Sequence, residues 1–514
     1  MPPAAELPAA YLALERERDA LKASLDEREG TILDLKRQLE WLRRQVFGPG
    51  KGEKLDRLQL LLKLQGVEAE LAAKAEEAAK QEVSYERRCP KPEKRAAPAE
   101  LYAKLPVSEV VVIEPNEVKA ESEAFERIGE ERTFEVKITP PQLTKREIVR
   151  PKYKAKEDRA RPPVTAPAPA RVVPGGYASA ELVAWVCVSK YLDHLPLYRQ
   201  EQMLARWGAS IPRASLCEWI RIAADWLQPI YRRMHAHLLA GDYLQADETP
   251  IKCHDPDAGK GAVSQGYLWL ISRPGGDVVF DWKLSRRHGE LTALVSDFKG
   301  VLQADGYEAY DAHAAERPEV IRVGCWVHAR RKFAEVQSED AKAVRVVLKL
   351  IGRLYRFERE WDAADAEAKR ARDAAARSRL RAAHFARSLR WLHALALALR
   401  TRHRPKSGIG QAAGYLLAQW TTLERHVEHG QTRLDNNLVE NAVRPTKLGM
   451  KNWLFVGHPE AGQRSAILYS IIVSCLRHGV EPLAYLRDVL SRLPSMTNQD
   501  DFDALMPSHW RPLS

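Results

Sequence analysis

The sequence predicts a multidomain α/β protein whose largest domain is built on a mixed β-sheet. Short apolar runs separated by turns occupy residues 243–325, and helical patterns lie between the last of these runs. This alternation is typical of strands that are joined first by hairpins and then by crossover helices. The length of 514 residues is sufficient for three or four domains, of which the largest buries a full core.

The composition indicates which kind of partner the protein binds and in which cellular compartment it is found. The formal net charge of +11 favours an anionic partner, most commonly nucleic acid, although a merely soluble basic surface is the alternative. Six cysteines stand far apart without a Cys-x-x-Cys pair, which argues against a disulfide framework and a cysteine-rich zinc site. The N-terminus lacks the pattern of a signal peptide, and no apolar run reaches about 20 residues. We therefore expect a cytoplasmic protein with no membrane partner.

Residues 1–82 are predicted to form a coiled-coil and helical oligomerisation region. Eleven heptad a and d positions lie between Tyr11 and Val46; nine of them are apolar, and Glu and Arg are abundant beside them. This pattern favours a homo-oligomer that assembles through the helix. A single amphipathic helix packed on its own domain is the alternative.

Residues 83–176 are predicted to form a small β module followed by a basic, Pro-rich linker. The predicted strands are Val110–Ile113, Thr133–Ile138 and Arg146–Val149. Between Lys145 and Arg171 there are nine basic residues and three acidic ones. Such a stretch suits contact with a phosphate backbone, and a solvated linker is the alternative.

Residues 177–240 are predicted to be helical, with the character of a helix-turn-helix. A first helix at Leu197–Trp207 is followed by a turn at Gly208–Pro212 and a second helix that begins at Arg213. In a DNA-binding helix-turn-helix, the start of the second helix faces the groove, so Arg213 is a candidate DNA contact. An ordinary helical hairpin is the alternative.

Residues 241–460 are predicted to form the largest domain, an α/β domain with a helical insertion at about 335–430. A C-terminal helical region is predicted at 461–514. Five strands are predicted, at Tyr243–Asp247, Gly266–Ser272, Asp277–Trp282, Gly300–Asp305 and Val320–Cys325. Three antiparallel strands followed by parallel additions are the plan of a ribonuclease-H-like sheet.

A repeated phrase marks the candidate active site. Leu244-Gln-Ala-Asp247 recurs fifty-eight residues later as Leu302-Gln-Ala-Asp305, each time at the end of an apolar run. Two strand carboxylates and one helix carboxylate, for which Glu440 is the candidate, suit a site that holds two hard cations about 4 Å apart. The alternatives are aspartates that merely end strands, and a capping box in which Glu440 pairs with Asn437.

Three cations follow Glu440 at helical spacing. Arg444, Lys447 and Lys451 stand four, seven and eleven residues after it, on one predicted helical face suited to phosphates. Pro445 disfavours helical geometry at the preceding residue, so we expect the helix to kink or restart there. A solvated charged face is the alternative.

A Cys-x-x-His pair stands where the fifth predicted strand meets the next helix. Cys325 and His328 supply only two zinc ligands, and no other Cys or His cluster completes a site. We therefore expect a supporting role near the metal site, with Arg330, Arg331 and Lys332 directed toward DNA. A histidine satisfied within the core is the alternative.

These motifs together resemble the large, TnpC-type transposase of the insertion-sequence-66 family. The resemblance covers nearly the whole chain and rests on ordered segments such as LQADETP, VLQADGYEAYD, CWVHARRKF and LDNNLVENAVRPTKLGMKNWLFVG. It implies a DDE transposase with a ribonuclease-H-like core and an acidic, metal-binding triad of Asp247, Asp305 and Glu440. It also implies a bacterial, nucleoid-associated protein that cleaves element ends and transfers strands to target DNA.

The resemblance further implies two Mg²⁺ ions, for which Mn²⁺ can substitute, and small accessory proteins of the same element as partners. Asn437 joins the residues expected to support the site. The zinc module usual in the family keeps only Cys89 of its first Cys pair, so no zinc is expected. Two other functions remain open from the sequence: a ribonuclease-H-like nuclease without joining activity, and a DNA-binding regulator derived from a transposase.

Overall fold

The computed structural model describes residue 110, residues 142–153, residue 156, residues 164–255, residue 259 and residues 263–512. The predicted coiled coil lies outside the described residues, as do nearly all of the β strands predicted at 110–113 and 133–138. All described residues from 142 onward belong to a structural unit that spans Glu135–Ser514.

The basic segment before the helices contains a short ribbon in place of the predicted strand at Arg146–Val149. That prediction was wrong, because these four residues are exposed and belong to no strand. Strands need a surface to pack against, and no described residue buries this segment. Instead β1 (Lys152–Tyr153) pairs antiparallel with β2 (Val164–Thr165).

Three helices follow where the sequence predicted them: α1 (Ala180–Tyr191), α2 (Leu197–Arg206) and α3 (Arg213–Leu239). Gly208 has a φ of +91° in the turn after α2, a conformation that favours glycine. The backbone N–H of Arg213 donates to Glu201 Oε1 at 3.0 Å, which satisfies one of the free donors at the start of α3. Apolar residues of α1 and α3 share one hydrophobic core with the sheet described next.

Five strands form a mixed sheet, interrupted by two short helices. In chain order the elements are β3 (Tyr243–His254), β4 (Val263–Ser272), β5 (Val278–Lys283), α4 (His288–Leu294), β6 (Gly300–Gln303), α5 (Glu308–Glu316) and β7 (Val320–Val323). The spatial order is β5-β4-β3-β6-β7. The pairs β3–β4 and β4–β5 are antiparallel, whereas β3–β6 and β6–β7 are parallel. The predicted mixed α/β architecture is confirmed.

Strand β3 is longer than predicted. It continues beyond Asp247 to His254, so Asp247 lies within the strand, opposite Leu270 of β4. The extension follows from alternate burial, because Thr249, Ile251 and Cys253 all face the interior.

The region predicted as a helical insertion is helical and has its own core. Its helices are α6 (Trp326–Glu335), α7 (Ala341–Glu367), α8 (Ala374–Arg402), α9 (Gly408–Ala418) and α10 (Trp420–Glu424), with a 3₁₀ turn at Arg425–Val427. Phe333, Val347 and Leu392 belong to one buried cluster that is distinct from the core under the sheet.

A buried ionic cluster connects the insertion to the loop after α10. The Glu358 carboxylate accepts hydrogen bonds from Arg372, Arg377 and Arg381. Arg381 also donates to the carbonyl oxygens of His426 at 2.7 Å and Thr432 at 2.8 Å. The insertion therefore fixes the path of the chain just before residue 433.

Three helices complete the fold: α11 (Asn437–Trp453), α12 (Pro459–Arg477) and α13 (Pro482–Arg492). Ser470 and Ser474 of α12 accept hydrogen bonds from the backbone N–H groups of Phe280 and Val278, so this helix covers the edge strand β5. In the part of the chain that the structure describes, no helix has the length and apolar character needed to cross a membrane.

Helix α11 is continuous through Pro445, so the predicted restart of the helix there was wrong. Proline removes one helical N–H and leaves the carbonyl of Asn441 without that donor. Asn441 is exposed, so water can satisfy its carbonyl and the helix can continue.

Candidate active site

The two copies of Leu-Gln-Ala-Asp lie side by side in the sheet. Strands β3 and β6 are parallel neighbours, with Leu244 opposite Leu302 and Gln245 opposite Gln303. Asp247 and Asp305 each follow two residues after the paired glutamines. Side chains alternate between the two faces of a strand, so Asp247 shares the face of Gln245. The repeat therefore brings the two aspartates to the same level of adjacent strands.

The paired glutamines connect the strands to the segment that precedes α11. Gln245 Nε2 donates to Gln303 Oε1 at 3.1 Å and to the carbonyl of Asp435 at 2.9 Å. Gln303 Nε2 donates to the carbonyl of Arg433 at 2.9 Å. Tyr243 Oη donates to Gln303 Oε1 and accepts from the backbone N–H of Arg433.

Asn436 makes the last of these connections. Its side-chain Nδ2 donates to the carbonyl of Ala246 at 2.8 Å, next to Asp247. Its backbone N–H donates to Cys325 Sγ at 3.3 Å. Because Asn436 immediately precedes α11, these bonds fix the start of the helix that carries Glu440.

Asp247 has a strongly altered acidity. Burial, together with the negative charges of Glu248, Asp305 and Glu440, raises the pKa of its carboxyl to about 8. A hydrogen bond from the backbone N–H of Glu248 to Asp247 Oδ1, at 3.0 Å, opposes this rise. Both of the other predicted carboxylates, Asp305 and Glu440, therefore act on the charge of Asp247.

The turn after β6 is held by a buried arginine. Arg322 donates to the carbonyl oxygens of Ala304 and Asp305, and its side chain is 2% exposed. Asp305 Oδ1 accepts a hydrogen bond from the backbone N–H of Tyr307 at 3.0 Å. These contacts fix the backbone of Asp305, although it lies beyond the last ladder pair of the strand.

Glu440 lies in the first turn of α11 and is not part of the predicted capping box. The helix is capped at Asn436, one residue before the predicted partner Asn437, and no side-chain capping bond is formed. Asn437 is exposed, and its backbone N–H donates to Asp435 Oδ1. The Glu440 side chain instead lies 3.4 Å from Arg331 Nη2, through Oε2, and 3.9 Å from His328 Nε2, through Oε1.

The three cations predicted on α11 are exposed at Arg444, Lys447 and Lys451. Burial lowers the pKa of Lys447, and the charge of Asp247 opposes this change. Lys447 is therefore within electrostatic range of Asp247.

The structure brings the Cys-x-x-His pair to Glu440. Ligand atoms of Cys325, His328 and Glu440 all lie within 4.8 Å of one another. Arg330 and Arg331 are exposed on α6. Arg213 is exposed at the start of α3, and no hydrogen bond or ion pair among the described residues joins it to the three carboxylates.

Sequence reasoning missed a second acidic residue of β3. Glu248 has a side chain that is 2% exposed, pairs with Arg286 and accepts a 2.6 Å hydrogen bond from Tyr310 Oη. Burial raises the pKa of Glu248. In the sequence, only the position of Glu248 next to Asp247 indicated that it belongs to the site. The structural role of Gln245 and Gln303 was easier to foresee, because both copies of the repeat carry a glutamine at the same position.

A mixed sheet that delivers two aspartates from adjacent parallel strands to a glutamate on a later helix is the arrangement of the DDE class of transposases and nucleases. Comparison with known proteins agrees with this class. Residues 175–464 match the family model described as "Transposase IS66 family", and residues 470–508 match "IS66 C-terminal element". The chain belongs to the IS66 transposase family.

Similar proteins occur in Sinorhizobium fredii (strain NBRC 101917 / NGR234). The chain is 34% identical over 421 residues to the protein named "Uncharacterized protein y4jD", a match that covers 78% of this chain and 80% of the relative. It is 32% identical over 419 residues to "Uncharacterized protein y4qI", covering 78% of this chain and 75% of the relative. A third protein, "Uncharacterized protein y4hP", is 26% identical over 518 residues, which cover 93% of this chain and 89% of the relative.

Proposed function

We propose that this protein is a DDE transposase that cleaves DNA at the ends of its insertion sequence and joins those ends to target DNA. The observation that carries the proposal is the register of the repeated phrase: Asp247 lies two residues after Gln245 in β3, and Asp305 lies two residues after Gln303, at which the parallel neighbour β6 ends. The charge of Glu440 acts on the same Asp247 carboxyl. Family membership favours transposition over other uses of such a site.

The strand order supports a ribonuclease-H-like core. Three antiparallel strands are extended on the β3 side by two parallel strands, and α11 contributes the third carboxylate from beyond the insertion. The proposed protein also contains the predicted N-terminal coiled coil as its means of homo-oligomerisation. The helix-turn-helix formed by α2 and α3 is proposed as a DNA contact through Arg213.

Divalent cations fit the acidic group. Several carboxylates raise the pKa of Asp247, and the cost of placing these negative charges together is relieved when a cation binds between them. Carboxylate oxygens are the ligands that Mg²⁺ prefers. Asp247, Asp305 and Glu440 would hold two Mg²⁺ ions, or Mn²⁺ in their place. Such ions activate an attacking oxygen and stabilise a leaving one.

The residues of the chain fix the reacting groups in place. In hydrolysis, water attacks the phosphorus of a phosphodiester and the bond to the 3′-oxygen breaks. In joining, the freed 3′-hydroxyl attacks the phosphorus of a target phosphodiester, and the bond from that phosphorus to the 3′-oxygen of the target strand breaks. The Gln245–Gln303 pair and Asn436 hold the three carboxylates in fixed relation, which lowers the entropic cost of this geometry. Below pH 8 the metal-free Asp247 retains a proton, so cation binding releases it.

Exposed cations provide the proposed path for DNA. Arg444, Lys447 and Lys451 lie on α11, and Arg330 and Arg331 lie on α6. Each lies on the same helix as a residue of the site, so phosphate contacts there would position the strand at the carboxylates. The proposal also includes the small accessory proteins of the element as partners and a cytoplasmic, nucleoid-associated location.

The proposal is tested with labelled DNA that carries the sequences flanking the gene, incubated with the full-length protein and Mg²⁺. We expect cleaved ends and joined products from the wild type and neither from Asp247→Asn. The matched control is Asp242→Asn, an exposed aspartate at the start of the same strand, which should keep both products. Nicks without joining would indicate a nuclease, and bound but uncut DNA would indicate a regulator; either result overturns the proposal.

A further inference from the structure

A second group of metal-binding side chains shares Glu440 with the acidic site. Cys325 immediately precedes α6, His328 lies in the first turn of α6, and Glu440 lies in the first turn of α11. One ligand atom from each lies within 4.8 Å of the others. The sequence shows only the first two residues as neighbours; the fold supplies the third.

Two polar atoms in this group are buried without a hydrogen-bond partner among the described residues. They are Glu440 Oε1 and His328 Nδ1. The 3.9 Å distance from Glu440 Oε1 to His328 Nε2 is too long for a hydrogen bond. A buried polar atom without a partner costs about 1–3 kcal/mol, and a bound cation would remove that cost for the carboxylate oxygen.

The distances suit a small tetrahedral ion. Zinc bonds of about 2.0 Å to nitrogen and oxygen and about 2.3 Å to sulfur place neighbouring ligands roughly 3.3–3.8 Å apart. The separation between Glu440 and His328 is already close to that range, and the widest separation requires a contraction of about 1 Å. Arg331 binds Glu440 through the other oxygen, Oε2, and therefore leaves Oε1 free.

Backbone hydrogen-bond donors surround the sulfur. The N–H groups of His328, Asn436 and Val327 donate to Cys325 Sγ and would stabilise a thiolate there. Binding of a divalent cation would form the metal–sulfur bond and release the thiol proton to solvent.

We propose that Cys325, His328 and Glu440 form a cation subsite for a thiophilic divalent metal of the Zn²⁺ class, with a fourth position left for water. A thiolate and an imidazole select such a metal, whereas Mg²⁺ prefers ligands that are all oxygen. The expectation that this protein binds no zinc considered only cysteines and histidines as ligands. Glu440 adds a third ligand to the Cys325–His328 pair.

The subsite has a consequence for catalysis that rests on the proposed function. Glu440 serves both groups, so a thiophilic ion bound to Cys325 and His328 draws this carboxylate away from Asp247 and Asp305. Zinc at this subsite therefore inhibits strand transfer in competition with Mg²⁺. Zinc binding itself does not depend on the reaction.

The test uses Co²⁺ as a spectroscopic probe on metal-free, full-length protein. We expect a thiolate-to-cobalt charge-transfer absorption in the near ultraviolet, and its loss when one equivalent of Zn²⁺ is added. The absorption should be lost in Cys325→Ser and weakened in His328→Asn. It should persist in Cys217→Ser, which replaces an exposed cysteine of α3, and in Asp247→Asn. Circular dichroism confirms that each variant is folded.

Two results would overturn the subsite: a wild type that shows no thiolate absorption, or an absorption that survives in folded Cys325→Ser. If Cys325→Ser is unfolded, the His328→Asn variant is used instead. A cobalt absorption in that variant equal to that of the wild type would overturn the proposal. These outcomes are independent of the transposase assignment. Absence of strand transfer in a wild type that binds cobalt through sulfur would reject the proposed function and leave the subsite standing.

Discussion

Replacing Asp247 with asparagine should stabilise the metal-free protein at alkaline pH, although it removes a proposed catalytic group. Burial and neighbouring negative charges raise the pKa of Asp247 from its ordinary 3.8 to about 8. Between these two pH values the folded protein keeps a proton that the unfolded chain has lost. The contribution of this group to stability is therefore highest below about pH 4 and falls as the pH rises to about 8. Asparagine cannot ionise, so the variant avoids this fall.

The size of the effect follows from the shift in pKa. Each unit corresponds to about 1.4 kcal/mol, so a shift from 3.8 to about 8 sets a ceiling of about 6 kcal/mol. The Asp247 side chain is only partly buried, and water reaching it reduces the cost of its charge. We expect Asp247→Asn to raise the free energy of unfolding by about 2 kcal/mol at pH 8.5 and to have little effect at pH 4.5.

The assay is denaturant unfolding of both proteins at the two pH values, with a chelator present. Asp242→Asn controls for the loss of a surface charge. Added Mg²⁺ should reverse the order at pH 8.5, because only the wild type gains stability from binding it. An equal effect of Asp247→Asn at pH 4.5 and 8.5 would refute the reasoning about its pKa.

Three further predictions concern residues that support the site. Gln245→Leu removes the hydrogen bonds of this side chain to Gln303 and to the carbonyl of Asp435, so calorimetric titration should show Mg²⁺ or Mn²⁺ binding weakened by about tenfold. Glu358→Gln removes a charge that compensates two buried guanidinium groups, Arg377 and Arg381, and the partly buried Arg372. Denaturant unfolding should show a loss of about 3–5 kcal/mol, and a loss below about 1 kcal/mol would contradict this. In Gly300→Ala the new methyl group would clash with the carbonyl of Asp242 at a φ of +136°, so the melting temperature should fall, whereas Gly289→Ala meets open space and should leave it nearly unchanged.

Secondary-structure elements that depend on a local pattern of apolar and turn residues were predicted well from the sequence. Strand alternation and turn residues predicted all five strands of the sheet, and the repeated phrase indicated its first and fourth strands. The prediction of a strand at Arg146–Val149 was wrong because these four residues are exposed and pack against no described surface. The end of β3 was placed at Asp247 because a polar residue resembles a strand end; pairing with β4 overrides that local signal.

Contacts between distant segments were harder to predict. The link from Gln245 to the carbonyl of Asp435 spans 190 residues and crosses the helical insertion, so no periodicity reveals it. The approach of Glu440 to Cys325 and His328 has the same origin. Buried electrostatics such as those of Glu248 depend on which face of a strand is covered, and that is settled only by packing.

The most direct measurement of the central claim is anomalous X-ray scattering from crystals grown with Mn²⁺. The account predicts manganese in contact with the carboxylates of Asp247, Asp305 and Glu440, at the edge of the sheet where the two copies of the repeat end. Manganese bound elsewhere, with these three carboxylates free of metal at saturating concentration, would contradict it.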